Sequence, residues 1–239
     1  MVTGLDYGRF EALTFDCYGT LIDWESGILA GLRPMLAKHA IDRPDDELLE
    51  VYAGLEAAAE AGPYRRYREI LAGGMRGVAA HYGVEADGAE VAAFADSVGD
   101  WPPFPDTAAA LGTLHERFRL GVITNCDDDL FARSAARLET TFEWVVTAQA
   151  AGSYKPDARN FEVALERIGL PPERILHVAQ SLYHDHVTAR RLGLATVWID
   201  RRQDRAGFGA TPPAEATPDA TFPDMASFTA AATAGRGQL

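Results

Sequence analysis

The amino-acid sequence predicts an α/β protein with a doubly wound parallel sheet as its core and an inserted α-helical cap. Three observations support this prediction. Beyond residue 102, short apolar runs alternate with helical segments, a rhythm typical of βαβ units whose parallel sheet is covered on both faces. A similar apolar run stands near the start of the chain at residues 12–16. Between these parts, residues 24–101 show helical periodicity and no convincing strand.

The core elements follow from the lengths of the apolar runs and from the residues that bound them. The first run is followed by the turn signal Gly19-Thr20, as expected of a buried strand. Further strands are predicted at residues 120–124, 144–147, 175–178 and 195–199, and helices at residues 106–117, 130–138, 157–168 and 185–192. Residues 206–223 are rich in Gly, Pro, Ala and Thr, which predicts a loop before a last short strand or helix.

The cap is predicted to consist of successive helices. Ser26 is the expected N-cap of the first helix, and Pro34 is expected to kink or shorten it. The remaining helices are expected at residues 45–61, 64–82 and 89–98.

The predicted domain division is therefore residues 1–23 and 102–239 for the core and residues 24–101 for the cap. In open parallel sheets, ligands bind beyond the carboxyl ends of the strands. A helical block inserted after the first strand is thus expected to lie over that crevice as a lid.

Composition and charge limit the classes of partner and compartment. The 239 residues include 22 Lys and Arg against 35 Asp and Glu, a net charge of −13, which disfavours nucleic acid and anionic membranes as partners. No apolar run approaches the roughly 18 residues of a membrane-spanning helix. Because no secretory signal is visible and Cys17 and Cys126 could form at most one disulfide, the sequence predicts a reduced, cytoplasmic setting.

Residues of catalytic type gather at or just beyond the ends of predicted strands. The candidate catalytic residues are Asp16, Thr20, Asn125, Lys155 and Asp185. A carboxylate such as Asp16 is ionised at neutral pH and can attack carbon to form an ester, although it could instead cap the following turn. Lys155 can pair with Asp16 and keep it ionised, whereas outside these motifs a solvated ammonium would be the default. Asn125 offers two amide donors to an anion or a leaving group.

These motifs, in this order, resemble the haloacid dehalogenase superfamily over nearly the whole chain. The motif Asp16-Cys17-Tyr18-Gly19-Thr20 is similar to the L-2-haloacid dehalogenase branch, which uses no metal. The resemblance implies a Rossmann-like core and Asp16 as the nucleophile that displaces halide from C2 with inversion. It also implies that water hydrolyses the resulting ester to a 2-hydroxy acid, that Lys155 and Asp185 position Asp16 and the water, and that Asn125 and an arginine receive the halide.

Two positions distinguish this chain from the phosphatases of the superfamily. Those enzymes carry a second Asp two residues after the nucleophile to protonate the departing alcohol, where this chain has Tyr18. They also hold Mg²⁺ with an acidic residue in a Gly-Asp-Ser arrangement, where this chain has Ala179-Gln180-Ser181. Gln is a weak, neutral ligand for Mg²⁺, and a departing halide needs neither a proton nor a metal. No metal and no cofactor are therefore expected.

The predicted substrate-binding residues are Tyr18, Thr124, Gln180, Ser181, Arg65, Arg68 and Trp24. The dehalogenase branch places an essential Arg in the cap, yet the corresponding residues 45–61 contain none. Arg65 and Arg68 are the nearest candidates, with a solvated basic face as an equal alternative. Thr124 could instead bond its own backbone, and for Trp24 packing at the domain junction is the favoured alternative. The branch also places a Tyr where this chain has Phe161.

The leading hypothesis is a metal-independent hydrolase of small 2-substituted carboxylic acids, with L-2-haloacids favoured. Three alternatives stay open. One is hydrolysis of a strained C–N bond, as in azetidine-2-carboxylate, with His184, Tyr18 or Tyr183 as proton donor. The others are a Mg²⁺-dependent phosphatase and a catalytically silent binding module. A small carboxylate is the expected partner, nucleic acid and membrane are not expected, and a homodimer is left open.

Overall fold

A parallel sheet forms the core of this computed structural model, which describes residues 4–203, 205, 207 and 209–234. Its strands are β1 (Ala12–Phe15), β2 (Arg119–Thr124), β3 (Trp144–Thr147), β4 (Ile175–Ala179), β5 (Ala195–Ile199) and β6 (Ala220–Phe222). They pair in the order β3-β2-β1-β4-β5-β6, every pair parallel. Because β1 lies between β2 and β4, the direction of winding reverses beside it, and its carboxyl end is the crevice where such sheets bind ligands.

Helices cover both faces of the sheet, and other helices form the cap. They are α1 (Trp24–Ala37), α2 (Asp45–Glu60), α3 (Tyr67–His81), α4 (Gly88–Asp96), α5 (Thr107–His115), α6 (Asp128–Arg137), α7 (Ala148–Ala151), α8 (Ala158–Ile168), α9 (Val187–Arg191) and α10 (Met225–Thr233). Because side chains alternate across a strand, Leu13 and Phe15 of β1 belong to one buried apolar cluster, whereas Ala12 packs in a second cluster with Phe161 of α8. These two cores confirm the predicted α/β class and its doubly wound sheet.

Helices α1–α4 lie between β1 and β2 in the chain, and we keep the proposed boundaries 24–101 for the cap. The N-cap of α1 is Asp23, whose carboxylate accepts the N–H of Ser26, so the prediction of Ser26 as N-cap is wrong. Pro34 does not end α1, which continues to Ala37. Pro34 lacks the N–H that would donate to the carbonyl four residues earlier, and the helix continues for three residues beyond it.

The chain departs from the predicted elements at two places near the end of the core. A π-helical turn at Leu182–His186 precedes α9, where a single helix over 185–192 is predicted; such turns are frequent at functional sites. The strand β6 lies within the last part of the predicted loop and α10 follows it, while Ala206 and Phe208 of that loop lie outside the described residues. Across the described ranges, no helix has the length and apolar character needed to cross a membrane.

Candidate active site

Asp16 stands directly after β1, at the carboxyl edge of the sheet. Its backbone N–H donates to the carbonyl of Val178 in β4 at 3.1 Å. Thr20 donates from Oγ1 to Asp16 Oδ2 at 2.8 Å, and the same Oγ1 accepts the backbone N–H of Gln180 at 2.8 Å. Thr20 therefore ties the ends of two neighbouring strands together and fixes one oxygen of the Asp16 carboxylate.

The turn after Asp16 depends on a glycine. Gly19 has φ of +93°, a region that residues with a Cβ rarely adopt. A Cβ at this position would lie 3.0 Å from Trp24 Nε1 and 3.1 Å from Gln180 Oε1. The sharp turn thus lets the first residue of the cap pack closely against the loop that follows Asp16.

Lys155 joins two carboxylates at the floor of the site. Its Nζ donates to Asp16 Oδ1 at 2.8 Å, to Asp185 Oδ1 at 2.7 Å and to the carbonyl of Ile123 at 2.8 Å. An ammonium has three N–H donors, and all three are used here. The Lys155 side chain is 1% exposed, so this cation is shared within the protein and shielded from solvent.

The protonation of these groups follows from burial and from the shared cation. Burial favours the neutral amine, but the adjacent Asp16 and Asp185 raise the pKa of Lys155 to about 12. Burial raises the pKa of Asp16, with Lys155 opposing the shift and Asp185 reinforcing it. For Asp185, Lys155 and His177 outweigh burial and hold its pKa well below the usual range. Asp185 is thus the permanent anion, and the charge of Asp16 depends on Lys155.

His177 of β4 contacts the carboxylate of Asp185. Sequence analysis did not predict this contact. Its Nε2 lies 2.9 Å from Asp185 Oδ1, and its Nδ1 lies 2.9 Å from Thr14 Oγ1. The signal for this residue is a histidine in the middle of the otherwise apolar strand Ile175–Ala179. A polar ring there needs buried partners, and Asp185 and Thr14 provide them.

Asn125 holds the backbone of Lys155 in place. Its Oδ1 accepts the Lys155 N–H at 2.7 Å, and its Nδ2 donates to the Lys155 carbonyl at 3.0 Å. The same Nδ2 lies 3.2 and 3.3 Å from the two carboxyl oxygens of Glu60. In this structure Asn125 positions Lys155 and Glu60, and its predicted role in receiving a halide stays a prediction.

Tyr18 occupies the position of the second aspartate of the phosphatases. Its hydroxyl lies 2.9 Å from Ser134 Oγ and 3.4 Å from Cys126 Sγ. Burial raises the pKa of the Tyr18 hydroxyl well above its ordinary value. The side chain contributes to the site through its ring, while its hydroxyl is bonded inside the core.

The residues at the position of the phosphatase magnesium site do not fit that ion. Asp16 and Asp185 each give an oxygen to Lys155, and Gln180 is a neutral ligand where Mg²⁺ prefers anionic oxygen. Within the part of the chain that the structure describes, no group of three or more His, Cys, Asp or Glu residues could hold a metal ion. The charge of the two aspartates is instead compensated by a buried lysine.

A cavity of about 30 Å³ separates Asp16 from the cap. The core contributes Asp16, Tyr18, Asn125, Lys155, Ser181 and His184 to its lining, and the cap contributes Trp24, Glu56, Glu60 and Tyr67. The structure therefore brings together three predicted catalytic residues and three predicted binding residues. Trp24 both packs at the domain junction and lines the cavity.

Neither predicted cap arginine is among the described residues that line this cavity. Arg68 forms ion pairs of 2.8 Å with Asp96 and with Asp129, and Arg65 is exposed. Arg68 thus reaches one acidic partner in the cap and one in the core. Contact between these arginines and a substrate stays a prediction.

Thr124 and Gln180 also lie outside the lining of the cavity. Thr124 is fully buried at the end of β2. The Gln180 side chain accepts a hydrogen bond from Thr211 and faces a neighbouring pocket beyond Trp24. Gln180 contributes to the site through its backbone N–H on Thr20.

Glu56 and Glu60 of α2 bring two carboxyl groups to the cap side of the cavity, and sequence reasoning missed both. Glu56 Oε1 accepts the hydroxyls of Tyr52 at 3.0 Å and Tyr67 at 2.9 Å. Burial raises the pKa of Glu56 to about 7, although both hydroxyls act in the opposite direction. Burial and the proximity of Glu56 raise the pKa of Glu60 well above its ordinary value. Their signal is the spacing of four from Tyr52, which places both glutamates on one helical face.

His184 presents a neutral ring to the cavity. Its Nε2 lies 3.6 Å from Glu60 Oε2, and its Nδ1 lies 3.0 Å from Ser181 Oγ. Burial lowers the pKa of His184 to about 4, so the ring is uncharged at neutral pH. Ser181 Oγ also accepts the backbone N–H of His184 at 2.9 Å and thereby caps the π-helical turn.

Asp127 fastens the cap to the core beside this cavity. Its fully buried carboxylate accepts the N–H of Tyr67 at 3.0 Å, the N–H of Arg68 at 3.3 Å and the guanidinium of Arg66 at 2.9 Å. The two amides belong to the first turn of α3, where N–H groups lack partners within the helix. A core residue thus caps a cap helix and fixes Tyr67, which in turn holds Glu56.

Known proteins resemble this chain in sequence and in fold. It is 26% identical over 199 residues to an (S)-2-haloacid dehalogenase of Pseudomonas putida, covering 81% of this chain and 86% of that protein. It is 34% identical over 184 residues to a phosphoserine phosphatase of Thermus thermophilus, covering 72% and 67%. Its fold matches the L-2-haloacid dehalogenase of Xanthobacter autotrophicus, solved with chloropropionic acid covalently bound, with a TM-score of 0.75, 18% identity and coverage of 92% and 97%. The model of the haloacid dehalogenase-like hydrolases matches residues 10–193, most of the chain. The protein therefore belongs to the haloacid dehalogenase-like hydrolase family.

Proposed function

We propose that the protein hydrolyses carbon–halogen bonds of small 2-halo compounds by covalent catalysis at Asp16, without a divalent cation. The observation that carries the proposal is the buried ammonium of Lys155, 2.8 Å from Asp16 and 2.7 Å from Asp185. The 2-haloacids are the first substrates to test, because relatives are named for them. The acid bound covalently in the Xanthobacter enzyme supports the same chemistry.

The first proposed step forms an ester on Asp16. A carboxylate oxygen of Asp16 attacks C2 of the substrate, the carbon–halogen bond breaks, and halide leaves with the bonding electron pair. Thr20 and Lys155 each hold one oxygen of the carboxylate, which aims the nucleophile. A halide is a weak base and leaves without a proton.

The second proposed step regenerates Asp16. Water adds to the carboxyl carbon of the ester, the bond between that carbon and the alkyl oxygen breaks, and the alcohol product leaves. Negative charge develops on the Asp16 oxygen that faces Lys155, where the ammonium stabilises it. The neutral ring of His184, with Nε2 free of a hydrogen-bond partner among the described residues, is the proposed first acceptor of the water's proton. Overall, one water is consumed, and one halide and one proton are released.

Chloride release from (S)-2-chloropropionate in the presence of excess EDTA tests this proposal. Equal release of chloride and lactate, abolished in Asp16→Asn, is the expected result. Absence of chloride release together with Mg²⁺-dependent turnover of p-nitrophenyl phosphate would refute it and favour a phosphatase.

Hydrolysis of a strained C–N bond is a second candidate, favoured by Glu60. An amine leaving group needs a proton, and Glu60 is a cavity-lining carboxyl whose pKa is held well above its ordinary value by burial and by Glu56. Incubation with azetidine-2-carboxylate and detection of the ring-opened hydroxy amino acid by mass spectrometry tests it. No ring-opened product would eliminate this candidate.

A further inference from the structure

The cavity between Asp16 and the cap, which we call the inner cavity, is too small for a whole substrate. Its volume of about 30 Å³ has room for about two water molecules, and even the smallest 2-haloacid is larger than that. The cap side chains that close it, among them Trp24 and Tyr67, are buried. With the cap in this position, part of a substrate whose C2 reaches Asp16 must extend beyond the inner cavity.

A second cavity, which we call the outer cavity, adjoins the inner one and offers that room. Its volume is about 480 Å³, and Glu60 and Lys155 line both cavities. Its lining includes Ala61, Gly62 and Tyr64, which are exposed. The outer cavity is therefore open to solvent on one side and borders the catalytic site on the other.

Glu60, the last residue of α2, stands between the two cavities. Its carboxyl oxygens lie 3.2 and 3.3 Å from Asn125 Nδ2, and its Oε2 lies 3.6 Å from His184 Nε2. Because Asn125 and His184 belong to the core, the Glu60 side chain spans the space between the cap helix and the core. Only 5% of this side chain is exposed, so little space is left around it for a substrate group.

The effect of Glu60 on a substrate comes from its size rather than from its charge. Burial and the neighbouring Glu56 hold the pKa of Glu60 well above its ordinary value, although Lys155 and Asn125 act in the opposite direction. A raised pKa favours the neutral form of a carboxyl group. A neutral carboxyl does not repel a substrate carboxylate, but its atoms still exclude other groups from the space that they occupy.

The walls of the outer cavity suit an aromatic group. The rings of Tyr64 and Tyr154 stack with their centroids 5.6 Å apart, and Tyr183 adds a third ring. Aromatic rings attract one another in stacked and edge-to-face arrangements. The carboxylate of Asp157 in the same lining already accepts the N–H of Arg159 at 2.8 Å as the N-cap of α8. The outer cavity therefore offers aromatic surface to an uncharged ring.

Arg65 lies beside the mouth of the outer cavity. It follows Tyr64 in the chain and is exposed, and its backbone carbonyl accepts the hydroxyl of Tyr154 at 2.9 Å. Its side chain is not among the described residues that line either cavity. A contact between Arg65 and a substrate carboxylate would be common to every 2-haloacid, so it would not discriminate between different groups on C2.

We propose that Glu60 limits the size of the group on the reacting carbon, and that the outer cavity is a subsite for an aromatic group that joins the catalytic site when Glu60 is shortened. This inference rests on the proposed function, because the reaction at Asp16 is the same. With an aromatic group, 2-chloro-3-phenylpropionate and one water give 3-phenyllactate, one chloride and one proton. A methyl group on C2 needs only a small displacement of Glu60, whereas a benzyl group needs the space that its carboxyl occupies.

The test compares kcat/KM for (S)-2-chloropropionate and (S)-2-chloro-3-phenylpropionate, which differ only in a phenyl ring, by chloride release. In the wild-type protein the phenyl compound is expected to be at least about tenfold poorer, because a filled site rejects additional atoms. In Glu60→Ala the ratio of the phenyl compound to the methyl compound is expected to rise at least about tenfold, because the ring enters the outer cavity. Adding Tyr64→Ala to Glu60→Ala is expected to remove part of that gain, since the ring loses an aromatic neighbour.

Two control variants separate size from charge and from unspecific effects. Glu60→Gln keeps the size of the side chain and removes its ability to carry a charge, so the ratio is expected to stay unchanged. Glu69→Ala, at an exposed position of α3, is also expected to leave the ratio unchanged. Because the measurement is a ratio, a general loss of activity from a disturbed contact with Asn125 does not alter it.

The outcomes distinguish this inference from the proposed function. A wild-type protein that consumes the phenyl compound as efficiently as the methyl compound overturns the inference and leaves the proposed function standing. An unchanged ratio in Glu60→Ala, or an equal rise in Glu60→Gln, also overturns it. Chloride release from neither compound in the wild-type protein refutes the proposed function and the inference with it. If Glu60→Ala does not fold, the shorter carboxyl of Glu60→Asp replaces it: a smaller rise supports the inference, and an unchanged ratio overturns it.

Discussion

The two faces of the inner cavity use carboxyl groups in opposite ways. On the core face, Asp16 and Asp185 share the buried ammonium of Lys155. On the cap face, Glu56 and Glu60 receive hydrogen bonds from neutral donors, namely two tyrosine hydroxyls and a side-chain amide. Burial alone drives a carboxyl toward its protonated form, and a cation in contact opposes that shift. The comparison teaches that the same functional group is driven toward its protonated form where only neutral donors contact it and resists that shift where a cation does.

Removing the shared cation is expected to have the largest effect. Lys155→Met leaves two buried carboxylates without their partner, which costs about 3–5 kcal/mol of unfolding free energy. Chloride release is expected to fall at least about a thousandfold, because the nucleophile loses its charge and its alignment. Chemical denaturation and steady-state kinetics measure the two effects.

The control for this change is Lys38→Met, since Lys38 pairs with Glu90 at an exposed position. Its cost is expected to be small beside that of Lys155→Met, because solvent screens an exposed ion pair. Equal stability losses in the two variants would contradict the distinction between a shared buried cation and a surface ion pair.

Glu56→Gln tests the comparison through the pH dependence of the free energy of unfolding. A folded-state pKa of about 7 against an ordinary value of 4.5 means that the stability contributed by protonated Glu56 is complete below about pH 4.5 and is lost as the pH rises through 7. The wild-type protein should therefore lose up to about 3 kcal/mol between these limits from this group alone. The variant should lack that loss, so its advantage is larger at pH 8 than at pH 5. Denaturant titrations at both pH values measure it, with Glu69→Gln as the exposed control, and a pH-independent difference would refute it.

Asp127→Ala tests how the cap face is held against the core face. It leaves two N–H groups of α3 without their acceptor, which is expected to cost about 2 kcal/mol. The neighbouring Asp129→Ala removes only exposed ion pairs and is expected to cost less than about 1 kcal/mol. Thermal unfolding of the two variants provides the measurement, and equal losses would contradict the capping role.

The smallest expected effect concerns Tyr18, whose hydroxyl is bonded within the core. Tyr18→Phe removes the contact with Ser134 and is expected to lower the unfolding free energy by about 1 kcal/mol. Denaturant titration measures this loss. A loss above about 3 kcal/mol would show that the hydroxyl has a further buried role.

The core face could be predicted from the sequence because its residues follow strands. Parallel strands end at one edge of the sheet, so Asp16, Asn125 and Lys155 could be grouped without coordinates. The α/β fold class and the positions of the strands could be predicted from the same regularity. His177 was not predicted because the sequence does not indicate which groups contact a polar side chain within a strand. Those contacts depend on how the neighbouring elements pack.

The cap face could not be predicted in the same way. Packing between distant segments decides which face of α2 meets the core. The sequence alone therefore indicated no role for Glu56 or Glu60. The ion pairs of the cap arginines could not be predicted for the same reason, since the acids that pair with Arg68 lie far from it in sequence. The signal for this face is the spacing of four residues from Tyr52 to Glu56 and from Glu56 to Glu60. This spacing places two carboxyl groups on the buried face of α2.

The central claim, a covalent ester on Asp16, is tested most directly by turnover in ¹⁸O-labelled water with whichever 2-chloro substrate is consumed. After many turnovers the peptide containing Asp16 should gain heavy oxygen, because water attacks the carboxyl carbon of the ester. In a single turnover the product should carry ordinary oxygen taken from Asp16. Heavy oxygen found in the product of the first turnover, with none in the Asp16 peptide, would contradict the account.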